Sequence, residues 1–283
     1  MSGPGKGVTA VSRESVATEL LEAEAKATAL GPITAGWPEM DLADATAVQA
    51  LTLAERERRG ERLTGLKLGL TSRAKQVRMG IATPITAWLT DAMSLPLSEP
   101  VDVDRLIHPR AEPEIVFVMG DSLRGPGVTA AEALSAVASV RGGIEIIDSR
   151  FKDFKFTLED VIADNASSAL YVLGPVALSP QGLDLSLEAC LVEVDGKVED
   201  SATGAAVQGH PAEALAQAAN ALSRDGLFIK AGWTVLTGGM TDAVALSAGT
   251  TMRVEFTSLG SIVLSATGGD STRKARDQVG ARS

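Results

Sequence analysis

Glu112-Pro113-Glu114-Ile115-Val116-Phe117-Val118-Met119 is the stretch on which the reading of this chain turns. It is short, rich in β-branched and aromatic residues and punctuated by proline, which marks a strand. Residues i and i+2 of a strand project from one face, so Glu112 and Glu114 point the same way. A run apolar on both faces is ordinarily a buried strand. A second such run, Gly142-Gly143-Ile144-Glu145-Ile146-Ile147-Asp148, carries a lone Glu145. Burying like charges is costly unless something positive neutralises them, and neither run contains a cation. Two arrangements meet that cost. A divalent cation held by Glu112, Glu114 and Glu145 is one; an exposed edge strand whose glutamates pair with distant lysines is the other. Oxygen-only ligation favours Mg²⁺, Mn²⁺ or Ca²⁺. With only Cys190, His108 and His210 available, a thiolate or imidazole cage cannot be built. Three carboxylates would leave coordination positions open for water or substrate.

Around these strands the periodicity predicts an α+β chain. Helices are expected over 12–30, with Ser12 as cap, and over 41–59, closed by Gly60. From Leu63 the texture shifts to short strands at 63–71, 112–119, 143–148, 169–174, 189–195, 233–237, 252–256 and 261–265. Helices are expected near 72–79, 129–141 and 211–224, and Asp195-Gly196 signals a hairpin. No linker divides residues 12–267. They are expected to form one catalytic domain, helical over 12–62 and β-rich over 63–267, between mobile tails at 1–11 and 268–283.

Composition narrows the function. Of 283 residues, 45% are hydrophobic and 22% charged, as in a globular enzyme. Lys and Arg number 26 against 36 Asp and Glu, a net charge of −10 that makes nucleic acid an unfavourable partner. The basic residues cluster only at Arg56, Arg58, Arg59 and Arg62 and at Arg273-Lys274-Ala275-Arg276. Neither a membrane span nor a basic-then-apolar leader is visible, so a cytoplasmic location is expected. The single cysteine excludes an intrachain disulfide.

Other polar residues stand in apolar surroundings. Lys67 lies in Gly65-Leu66-Lys67-Leu68-Gly69-Leu70, with Leu66 and Leu68 on the opposite face. It either snorkels from an edge strand or is buried against an anion. Asp148 and Asp164 sit among Ser, Asn and Arg, where such side chains usually stitch loops and sometimes line a site. Leu236-Thr237-Gly238-Gly239-Met240-Thr241 would let backbone amides approach an anion, but it lacks the lysine and spacing of a P-loop. Trp37, Trp88 and Trp233 read as packing residues, and His108 has no acid–base partner nearby in sequence.

Taken in order, Lys67-Leu-Gly-Leu-Thr-Ser72, His108-Pro-Arg-Ala-Glu112-Pro-Glu114, Ile144-Glu145-Ile-Ile-Asp148-Ser-Arg150 and Ala163-Asp-Asn-Ala-Ser167 resemble the fumarylacetoacetase-like superfamily. The resemblance runs from about Asp41 through the 236–245 segment to Leu264. It is closest to the branch of 2-oxopent-4-enoate hydratases and 4-oxalocrotonate decarboxylases. It implies a mixed β-roll with a helical N-terminal part, and Mg²⁺ or Mn²⁺ on Glu112, Glu114 and Glu145. No organic cofactor is implied. By position, Lys67 matches an active-site lysine and Ser167 a substrate-contacting serine, and Ile85 and Thr241, the latter in the matching Gly-rich segment, are likewise expected to contact substrate. Hydratases of the branch typically carry Pro-Asp-Phe-Gly where this chain has Pro84-Ile85-Thr86-Ala87, so Ile85 replaces an acid–base carboxylate. Lys155 either receives the distal carboxylate of a dicarboxylic substrate or is an ordinary surface lysine, and Trp88-Leu-Thr-Asp-Ala-Met93 also looks like the decarboxylases. The resemblance therefore implies decarboxylation of 2-oxohex-3-enedioate to 2-hydroxypenta-2,4-dienoate in meta-cleavage aromatic catabolism, with 2-hydroxypentadienoate hydration as the alternative. It further implies a homo-oligomer, in some members complexed with a homologous hydratase.

Overall fold

The computed structural model describes residues 11–269, so the expected tails and the Arg273–Arg276 cluster lie almost wholly outside it. Among the described residues, twelve strands form two sheets. In chain order they are β1 (Leu63–Gly69), β2 (Ile85–Thr90), β3 (Val101–Asp102), β4 (Arg110–Met119), β5 (Val137–Ile147) and β6 (Ser168–Leu173), then β7 (Ala189–Val194), β8 (Lys197–Thr203), β9 (Thr234–Gly239), β10 (Val244–Ala245), β11 (Thr251–Phe256) and β12 (Ser261–Thr267). One sheet runs β2-β1-β9-β4-β5-β6, with β10 also pairing β4, and the other runs β3-β12-β11-β7-β8. Two of the pairings, β1–β9 and β3–β12, are parallel and the rest antiparallel. This is the expected mixed α+β architecture.

Alternation along the strands sorts the core. Leu66, Leu68, Ile115, Phe117, Ile144 and Ile146 point into the main apolar cluster, where Met252, Val254, Phe256 and Ile262 of the second sheet meet them. The opposite face of the same strands carries Lys67, Glu112, Glu114 and Glu145, beside a small cluster of Leu89, Met93, Val116, Tyr171 and Leu236. Glu112 is directly opposed to Glu145 in the β4–β5 ladder, a pairing that repels unless something neutralises it. β4 is therefore central and buried, not the exposed edge that would have let its glutamates find surface lysines.

The described residues also form seven α-helices: α1 (Arg13–Ala25), α2 (Ile33–Gly36), α3 (Leu42–Arg58), α4 (Arg73–Met79), α5 (Ala130–Ser135), α6 (Leu158–Ala163) and α7 (Pro211–Leu222). α1 and α3 begin with reciprocal caps, Ser12 with Ser15 and Asp41 with Asp44. Val16, Ala17 and Leu20 of α1, Ala45 and Val48 of α3, Phe151 and Ala163 pack into a second core. Two expected helices are shorter than the periodicity suggests. After α1 the chain leaves the helix, and Leu30 exchanges backbone bonds with Arg150 and Lys152 at 2.7 and 2.9 Å. The 129–141 helix ends at Ser135, because Val137–Ile147 joins β4 over ten residue pairs. In both cases a long-range ladder overrides local propensity.

Candidate active site

Lys67, Glu112, Glu114 and Glu145 converge although they lie on three strands. In a flat sheet β1 and β5 would stand three strand spacings apart, roughly 14 Å. Curling of the sheet and inward reach bring Lys67 Nζ to 3.1 Å from both Glu145 oxygens, with a hydrogen bond to Oε2. All four residues are buried. Lys67 is therefore a buried, paired lysine rather than a snorkelling one. Glu114 Oε2 accepts from the Gly238 amide at 2.7 Å. That loop does meet an anion, and the anion is the protein's own carboxylate.

Oxygens of Glu112, Glu114 and Glu145 lie within 4.8 Å of one another. Glu114 Oε1 is buried without a hydrogen-bond partner, and Glu145 Oε1, 3.1 Å from the Lys67 ammonium, accepts no hydrogen bond either. Burial first, and then repulsion from Glu145, holds the Glu114 carboxyl well above the usual carboxylate range. Glu145 is raised by the same burial and by Glu112, against the pull of Lys67. An orphaned oxygen and all-oxygen donors fit a hard divalent cation. Metal–oxygen distances of about 2.1 Å for Mg²⁺ and 2.3–2.6 Å for Ca²⁺ suit a group of this span after slight contraction. The trio is thus able to hold a metal ion.

A cavity of about 660 Å³ reaches the trio at Glu112 and is lined among others by Lys67, Leu70, Ile85, Arg110, Phe154, Phe156, Val161, Ser167 and Asp242. Ile85, the first residue of β2, presents an aliphatic wall. Ser167 is buried and donates its hydroxyl to Asp164 at 3.3 Å. It closes a turn in which Asn165, Ala166 and Ser167 all have left-handed backbone, with φ of 49°, 50° and 59°. Such a run is strained, so the surroundings must hold it. They do: Asn165 bonds both backbone groups of Trp88 at 2.8 and 2.9 Å, and the buried Arg150 bonds the Asp164 carboxylate and the carbonyls of Asp148, Asp164 and Ser168. Asp148 accepts from the amides of Ile107 and His108 at 2.8 and 2.7 Å. The His108 ring contacts the Ser149 carbonyl at 2.8 Å. These groups hold loops together.

Two of the expected substrate residues do not line the cavity. Lys155 projects from the surface with its side chain 80% exposed, 3.7 Å from Asp153. Thr241 is buried and donates its hydroxyl to the Asp242 carbonyl at 3.0 Å. Conversely, Arg110 and Phe154 line the cavity without having been singled out in the sequence. The signal for Arg110 was present: it precedes Glu112 by two residues and so shares its face. Phe154 lies in an irregular loop, where no periodicity points to it.

The chain is 40% identical over 255 residues to a 4-oxalocrotonate decarboxylase of Pseudomonas putida, covering 89% of this chain and 97% of that protein. It is also 40% identical over 238 residues to a 2-hydroxyhexa-2,4-dienoate hydratase of Comamonas testosteroni, covering 83% and 90%. The solved 4-oxalocrotonate decarboxylase of P. putida G7, complexed with magnesium and adipate, superposes with a TM-score of 0.87 at 39% identity, covering 90% of this chain and 97% of that one. The fumarylacetoacetate hydrolase C-terminal family matches residues 73–265, the span that holds the three glutamates, and the chain belongs to that family.

Proposed function

We propose that this chain removes CO₂ from 2-oxohex-3-enedioate in a magnesium-dependent reaction, forming 2-hydroxypenta-2,4-dienoate in meta-cleavage aromatic catabolism. The observation that carries this reading is the cavity wall, where the Lys67 ammonium stands beside the acid trio while β2 offers Ile85 instead of a carboxylate. Relatives named 4-oxalocrotonate decarboxylase at 40–42% identity support it.

Bound at the trio, Mg²⁺ supplies Lewis-acid polarisation of a 2-oxo acid. The protein's own groups do the remainder. As the C5–C6 bond breaks, its electron pair passes through the conjugated double bond to the C2 oxygen, and CO₂ departs. Lys67 Nζ, positioned by Glu145, stabilises that oxygen and supplies the proton that completes the enol. The substrate's oxo group is the electron sink, so no organic cofactor is required. Leu70, Ile85, Phe156 and Val161 keep that wall of the cavity apolar and limit access of water to the migrating electrons. Ser167, fixed by its left-handed turn, is assigned a substrate contact.

The second reading is hydration of a 2-hydroxydienoate, favoured by relatives at 35–40% identity named as hydratases. It requires a proton shuttle, for which Asp153 and Asp242 are the carboxylates at hand beyond the trio. In either case we propose a cytoplasmic enzyme that self-associates or pairs with a homologous hydratase. The test follows ultraviolet loss of 2-oxohex-3-enedioate with Mg²⁺ while CO₂ is measured, beside conversion of 2-hydroxypenta-2,4-dienoate to 4-hydroxy-2-oxopentanoate. CO₂ release with slow hydration is expected, and rapid hydration without CO₂ overturns the decarboxylase reading. In the same assay Lys67→Met should lower kcat by roughly 10²-fold, the scale of removing one charge-stabilising donor.

A further inference from the structure

Among the described residues that line the cavity, two are cationic, Lys67 and Arg110. Lys67, paired with Glu145, is already assigned to the C2 oxygen. The half-buried Arg110 guanidinium has no acidic partner among the described residues, although Asp153 and Asp242 line the same cavity. It lies instead over the Phe154 ring, 4.2 Å from the centroid. Phe154 is braced from elsewhere by the His108 ring, 4.7 Å away and tilted by 32°. A guanidinium packed on an aromatic face loses little further freedom on binding, and its planar fork matches a carboxylate. Arg110 and Glu112 are alternate residues of one strand, so their Cα atoms stand about 6.7 Å apart on the same face. An extended six-carbon diacid, with four carbons between its carboxylates, is of comparable length.

We infer that Arg110 receives the second carboxylate of the substrate, seated on Phe154, and so sets the preference of this site for dicarboxylic over monocarboxylic 2-oxo acids. The inference rests on the reading of the site as one for 2-oxo acids, and it gives the role first sought in Lys155 to a residue that lines the cavity. Negative charge leaves this carboxylate as CO₂ forms, so Arg110 contributes ground-state affinity and its loss should raise KM without lowering kcat.

Calorimetric titration of the Mg²⁺-loaded protein with 2-oxoadipate and with 2-oxohexanoate tests this, because the two ligands differ only in the second carboxylate. Arg110→Gln should weaken 2-oxoadipate about tenfold or more and leave 2-oxohexanoate unchanged, the scale of one charge-assisted contact. Arg110→Lys, which keeps the charge and loses the fork, should fall between. Unaltered 2-oxoadipate affinity in Arg110→Gln overturns the inference, as does equal weakening of both ligands in Arg110→Lys. The readout is binding, so it is independent of which reaction follows. A protein that hydrates without releasing CO₂, yet loses 2-oxoadipate affinity in Arg110→Gln, would keep this inference and lose the decarboxylase reading.

Discussion

Gly238 and Gly239 sit side by side at the end of β9, yet their substitution should have different consequences. Gly238 has φ of +115°, and a Cβ there would stand 2.0 Å from the Thr71 hydroxyl. Gly238→Ala should therefore cost at least the 1–3 kcal/mol of a strained backbone position, read by urea unfolding. Gly239 has no such φ, but a Cβ there would lie 2.8 Å from the carboxyl carbon of Glu112. The far end of a glutamate can move aside, so Gly239→Ala should fold with near-normal stability while Mg²⁺ affinity falls about tenfold, as when other supports of a metal ligand are disturbed. A Gly239→Ala protein that loses stability and keeps its Mg²⁺ affinity would refute this role. At this scale much of the site was legible. Strand alternation alone placed Glu112 with Glu114, and put Lys67 on the face away from Leu66 and Leu68. The convergence of β1 on β5 was not legible, because it depends on how the sheet curls. Neither was the role of the glycine pair, since nothing local in 236–241 announces that Glu112 and Glu114 are its neighbours.

Between the helical part and the sheets, the junction depends on one buried cation. Arg150 follows β5 and bonds the Asp164 carboxylate after α6, and both side chains are almost fully buried. Burial pushes Asp164 up to about 6 even with Arg150 beside it. Removing one partner of such a pair leaves an uncompensated buried charge, whereas removing both does not. Arg150→Met should therefore lose about 3–5 kcal/mol in chemical denaturation. Arg150→Met combined with Asp164→Asn should be less damaged than Arg150→Met alone. Simple additivity of the two substitutions would mean that Arg150 acts through its carbonyl bonds rather than through Asp164. The sequence made Asp148, Asp164 and Arg150 visible as a dense polar group, and stitching was the reading it favoured. What it stitches, three consecutive left-handed residues ending at Ser167, has no local signature beyond Asn165, because Ala and Ser adopt that conformation only when their surroundings impose it. The element boundaries that periodicity misplaced, at 26–30 and 136–141, both lie where the backbone bonds to residues distant in sequence or in the opposing strand.

For the whole molecule, the acid trio is a liability that a cation converts into stability. Glu114 and Glu145 have folded-state pKa values above the ordinary carboxylate value of 4.5, with burial as the first cause. A carboxyl raised in this way favours the fold most when protonated, below its unfolded pKa, and that contribution is lost as pH rises through the raised value. In chelator the protein should therefore lose stability over that range. Mg²⁺ takes the place of the protons and binds only the ionised oxygens, so it stabilises most where the metal-free protein is weakest. At a free concentration 100 times its Kd, a ligand specific for the folded state adds about 2.7 kcal/mol. For a chain of this length that corresponds to a Tm increase of several degrees. Thermal unfolding with and without Mg²⁺ at about pH 6 and about pH 8 should show a larger Mg²⁺-induced rise at the higher pH. The same comparison on Glu114→Gln should show a much smaller rise, since a neutral amide is a poorer ligand for a hard cation. A Tm indifferent to Mg²⁺ at both pH values would leave Glu114 Oε1 without a partner and remove the basis for a metal at this site.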